Sequence, residues 1–131
     1  MTTYDQIWST FLNNCKVSDI DLPQYPEKIY EVIQNGAMYF NNRLRLDLIC
    51  DNDSESVSHD LGNDQLLIMA NFIRLLFLKN QKTYFESLWQ PFQKDVGQKN
   101  FSTQLKSLES SISDQERTIE RLIMNMEEDF L

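Results

Sequence analysis

Apolar side chains recur along most of this chain at steps of three and four, the spacing of one helical face. Tyr4, Ile7, Trp8, Phe11, Leu12 and Cys15 predict a first helix that fades near Lys16. Thr2 or Thr3 can cap it, and Asp5 in its first turn favours the helix dipole. Residues 17–26 carry Asp19, Asp21, Pro23 and Pro26 and read as a connection, with Pro26 suited to open the next helix. That helix is predicted from Pro26 to about Ile49, with Ile29, Ile33, Gly36, Ala37, Phe40, Leu44 and Leu48 as its apolar stripe. Gly36 and Ala37 lie inside the stripe, where small side chains let a second helix approach closely.

Residues 50–62 are acidic and serine-rich, so an exposed, mobile loop is expected there. Asn63 then caps a third helix. From Leu66 to Leu78 it is apolar nearly all round, which marks it as the buried central helix. Asn71 and Arg74 interrupt it and require solvent or a polar partner; a buried arginine calls for a carboxylate. The helix continues through Tyr84, Phe85, Leu88 and Trp89 and ends at Gln90, before Pro91. After a connection over residues 91–100, a last helix is predicted over about 102–128. Its residues Phe101, Leu105, Leu108, Ile112, Gln115, Ile119, Leu122 and Met126 form a heptad seam with one polar member, Gln115. No strand-like alternation persists. The expected fold is therefore all-α, a small bundle of about four helices with a long C-terminal helix. Residues 1–92 form its core, and residues 93–131 add the connection and the long amphipathic helix, as part of the same domain or as a projecting arm.

Composition narrows the functional classes. Twenty Asp and Glu against twelve Lys and Arg give a net charge of −8, and no basic block is present to displace counterions from nucleic acid. The N-terminus lacks the basic and apolar regions of a signal peptide, and the stretch from Leu66 to Leu78 is too short to span a bilayer. Cys15 and Cys50 lie far apart and read as free thiols in a reducing compartment. His59 is the single histidine, so a site of several histidines within one chain is excluded. Asp51, Asp53 and Glu55 start like a calcium loop, but Ser56 and Gly62 stand where a glycine and a bidentate glutamate belong. Glu116 and Glu120, interleaved with Arg117 and Arg121, read as a charged solvent face. No catalytic constellation, cofactor or metal site is expected, and the chain reads as a non-enzyme.

Two surfaces are the best candidates for docking other chains. One is the aromatic group Tyr84, Phe85, Trp89 and Phe92, which reads either as core or as an interface anchor. The other is the seam of Phe101, Leu105, Leu108, Ile112, Ile119, Leu122 and Met126, which packs on its own domain or on a partner.

The layout resembles a known family. A short aromatic helix, Tyr4-Asp5-Gln6-Ile7-Trp8, precedes an acidic, proline-bearing loop. A long helix over residues 27–37 follows, then a polar loop and the apolar helix from Gln65 to Lys79. This arrangement is similar to the head–tail connector, or adaptor, proteins of tailed bacteriophages. The stretch from Tyr84 through Gly97 and Asn100-Phe101 looks like other small phage structural proteins. The resemblance implies a virion protein of the neck, assembled in the host cytoplasm. It would form a homo-oligomeric ring of about twelve copies, docked on the portal protein and offering a platform to a downstream neck or tail protein. The ring would extend the DNA channel, and an acidic wall would let the duplex pass without tight binding. Asp51, Asp53, Glu55, Glu127, Glu128 and Asp129 are the candidates to face it. The alternative is a helical interaction module without a viral structural role, dimerising through the last helix.

Overall fold

The computed structural model describes residues 1–17, 22–89 and 98–128. Its elements are β1 (Thr2–Thr3), α1 (Tyr4–Asn14), α2 (Pro26–Leu44), β2 (Cys50–Asp51), β3 (Ser56–Val57), α3 (Asn63–Trp89) and α4 (Gln98–Glu128). The architecture is a small all-α bundle, with α1, α2 and α4 all packed on the central α3.

Each helix boundary has a local cause. Thr3 caps α1 through a reciprocal pair: Gln6 N donates to Thr3 Oγ1 and Thr3 N donates to Gln6 Oε1, which satisfies two otherwise orphaned amides. Pro26 opens α2, where its missing N–H costs nothing. This helix ends at Leu44, earlier than the predicted Ile49, because Arg45 turns into the left-handed region at φ 57°. Leu48 still reaches the core, but from the following loop. There Asn41 holds it at both ends, accepting from Leu48 N at 2.9 Å and donating to Leu48 O at 3.0 Å. Helix α4 begins at Gln98, a turn before the predicted start.

The segment expected to be a mobile loop is a β-hairpin. Strands β1, β3 and β2 lie in that order, all antiparallel, with Thr2 opposite Val57 and Cys50 opposite Val57 on its other side. Ser56 and Val57 are buried. The hairpin is tied down from outside as well. Tyr4 N donates to Glu55 O at 2.8 Å, the Tyr4 hydroxyl to Asn52 Oδ1 at 2.7 Å, and Leu61 N to Thr2 Oγ1 at 2.7 Å. Two-residue strands leave no alternation long enough to register in a sequence pattern.

The core gathers Tyr4, Ile7 and Phe11 of α1, Ile33, Ala37 and Phe40 of α2, Ile68 through Ile73 of α3, and Ile119 and Ile123 of α4. Phe11 stacks on Phe77 with ring centroids 5.5 Å apart. At Gly36, α2 lies close against α3: a methyl group there would stand 2.9 Å from Cγ1 of Ile73. Outside the core, Arg43 forks onto Glu120, Nε to Oε1 at 2.8 Å and Nη2 to Oε2 at 2.6 Å, linking α2 to α4. Among the described residues, no helix is long and apolar enough to cross a membrane.

Two outcomes follow from this packing. Gly36→Ala gains about 1 kcal/mol of helix propensity but overpacks a stiff, fully buried isoleucine, at a cost of about 1–3 kcal/mol. Urea denaturation should show net destabilisation, with a sub-additive cycle when it is combined with Ile73→Ala. The Glu120 carboxyl is held below its ordinary range, chiefly by the hydrogen bond from Arg43. A carboxyl lowered in the fold contributes stability above its unfolded value, and the contribution fades as pH falls through the lowered one. Arg43→Met should therefore remove up to about 1 kcal/mol at pH 7, since the pair is half exposed. Variant and parent should converge in stability as pH falls through the lowered Glu120 value.

Candidate functional site

The predicted seam lies against α3, antiparallel to it. Lys82 Nζ reaches Glu109 Oε1 at 3.5 Å near one end of the contact, and Asn71 meets Gln115 nearer the other. Gln115 is buried, and its Nε2 donates to Asn71 Oδ1 at 2.7 Å and to Asn71 O at 3.2 Å. Its Oε1 accepts from Arg74 Nη1 at 2.5 Å. Arg74 also donates through Nε to Lys16 O at 3.4 Å, and Asn71 Nδ2 donates to Leu67 O at 2.7 Å. The two polar interruptions of the central helix thus meet the one polar member of the seam. Arg74 thus meets the expected polar partners, an amide oxygen and a backbone carbonyl. Arg74 is only partly buried, so its charge keeps contact with water and needs no counter-charge.

The seam residues are not equally spent inside the chain. Ile119 is 2% exposed and packs in the core; Ile112, Leu122 and Met126 are half-buried against it. Leu105 and Leu108, towards the start of α4, are half-buried beside the last turns of α3. Tyr84, on those turns, is 66% exposed, and Phe85 is half-buried. The side chains of Trp89 and Phe101, and Phe92 altogether, lie outside the described residues. The α3–α4 pair therefore buries its apolar positions around Gln115, Ile119 and Ile123 and leaves Leu105 and Leu108 half-buried and Tyr84 exposed.

Of the acidic candidates, Asp51, Asp53 and Glu55 are exposed together on the hairpin turn, where Asp53 N donates to Asp51 Oδ1 at 2.9 Å. Glu127 and Glu128 close α4, with side chains outside the described ones, and Asp129 lies outside altogether. Among the described residues, no three His, Cys, Asp or Glu side chains converge to hold a metal. Cys15 and Cys50 are free thiols; burial pushes both upward from their ordinary range, which lowers their thiolate fraction at neutral pH. His59 is exposed, its Nδ1 2.8 Å from Ser58 Oγ.

Sequence reasoning marked Asn71, Arg74 and Gln115 separately but did not join them. The two polar interruptions of the central helix and the one polar member of the seam are the signal that pairs them. Gln115→Ala should cost about 1–3 kcal/mol, because Asn71 then loses a buried partner. The Asn71→Leu, Gln115→Leu double variant should lie closer to the parent than Gln115→Ala does. Urea denaturation of the three proteins provides the comparison.

Comparison with known proteins agrees with a phage origin. A chain described as an SPbeta prophage-derived uncharacterized protein of Bacillus subtilis (strain 168) is 57% identical over 131 residues, covering all of both chains. No solved structure matches. A family model described as YomZ prophage protein matches residues 1–128, and the chain belongs to that family.

Proposed function

We propose that this prophage protein is a structural docking subunit of the phage particle, a head–tail connector of the neck, and not an enzyme. The observation that carries the reading is the part-covered surface of α3 and α4 around Tyr84, Leu105 and Leu108. Tyr84 is largely exposed there, and Leu105 and Leu108 are only half covered by their own chain. Aromatic and leucine side chains left in this state on an otherwise well-packed bundle suit a protein interface.

In this reading, copies meet through this surface and adjoining helix faces. A heterologous contact of that kind closes into a ring when its rotation permits. The ring sits on the portal protein and presents its other side to a downstream neck or tail protein. Asp51 and Asp53, on one turn, face the channel, where their charge repels phosphate and leaves DNA free to slide. The dimeric module is less favoured, because the C-terminal half of the seam is already occupied by α3.

Particles purified from an induced lysogen should contain the protein in a fixed, ring-sized copy number by quantitative mass spectrometry. Tyr84→Asp leaves the exposed helix surface of the monomer soluble, and should lower incorporation roughly tenfold by placing a charge in a dry contact. Absence of the parent protein from intact particles sinks the proposal.

A further inference from the structure

A cleft of about 280 Å³ lies where the first turns of α1 and α2 meet the hairpin turn. Its walls are aromatic. The Tyr4 and Tyr30 rings stand 5.3 Å apart at 55°. Trp8, half-buried, continues the wall and is backed by Phe11 at 5.0 Å. Ile29 adds an apolar surface, while the carboxylates of Asp5 and Glu55 stand exposed at the rim. Among the described residues, no basic side chain lines it.

Glu55 is the informative residue. Its backbone takes φ 52°, a left-handed conformation that glycine or asparagine adopts at lower steric cost. A glutamate there breaks the local turn preference, as residues at functional sites do. The strained turn aims its side chain at the aromatic wall, where Oε1 accepts from the Tyr30 hydroxyl at 2.7 Å. That hydrogen bond, then desolvation and the neighbouring Glu55, Glu27 and Asp5 charges, raise the Tyr30 hydroxyl above its ordinary range. It therefore stays a neutral donor, and Glu55 keeps its second oxygen for a further partner.

We propose that this cleft binds an arginine side chain carried on a basic segment of a partner protein. Ring faces are negative and attract a cation laid against them. A guanidinium stacks on Trp8 or Tyr30 while its fork donates to Glu55 and Asp5. An ammonium lacks the planar face and the fork, a metal finds no third ligand among the described residues, and a phosphate is repelled. Acidic balance across the whole chain, −8, steers the same class of partner. This site does not depend on the neck assignment.

The test is an NMR titration of the full chain with acetyl-Gly-Arg-Gly-amide, following the Trp8 indole N–H, identified by its loss in Trp8→Phe. The expected result is a saturable shift with a dissociation constant on the order of millimolar. The isosteric but uncharged citrulline peptide and the lysine peptide should both bind more weakly, citrulline by roughly tenfold. Glu55→Gln keeps an acceptor for Tyr30 and should weaken arginine binding by a similar factor. Asp5→Asn, exposed on α1, gives a second reading if Glu55→Gln folds poorly. The proposal is overturned by citrulline or lysine binding as tightly as arginine. It is also overturned by shifts confined to Asp51, Asp53 or α4, by no loss of affinity in a folded Glu55→Gln or Asp5→Asn variant, or by no saturation up to about 50 mM.

Discussion

The amide of Gln115 enters a contact that is otherwise apolar, and the position of α4 depends on what it finds there. In a seam of leucines and isoleucines, sliding one helix by a heptad replaces like with like, so hydrophobic burial alone selects the register weakly. A buried amide removes that freedom. Only one alignment sets Gln115 against Asn71 and within reach of Arg74, and any other leaves buried polar groups unpaired. With the register set, Ile119 and Ile123 fall into the core, and Glu120 meets the Arg43 fork. The same alignment leaves Leu105 and Leu108 only half-buried.

Much of this arrangement was legible from spacing. Long helices with 3.6-residue periodicity, a central helix apolar on all sides and a strict seam each translate into one packing solution. The bundle of four helices follows from them. Short-range features with long-range partners were not legible. Strands β1 to β3 are two residues each, and their stability comes from Tyr4, Asn52 and Thr2 acting across the chain. The early end of α2 at Arg45 needed a left-handed residue that carries no glycine or asparagine signature. Nor could spacing say which part of the seam stays open, because that depends on which elements pack against it.

The candidate site was legible to a similar degree. Tyr84, Leu105 and Leu108 stand out from their residue types and positions, and the fold leaves Tyr84 exposed and the two leucines half-buried. Glu55 was visible only as one acid in an acidic loop. Tyr30 and Tyr4 meet it through the hairpin, so the aromatic cleft exists only once distant segments are folded together.

The pairing of Thr2 with Val57 also orders events in time. Strand β1 and helix α1 leave the ribosome well before their hydrogen-bonding partner and the α3 surface they cover. Contacts of such sequence separation must close a long loop before they gain anything. The N-terminal segment therefore waits with Ile7, Trp8 and Phe11 uncovered until the hairpin and α3 have emerged. Order of synthesis and order of assembly thus run apart along this chain.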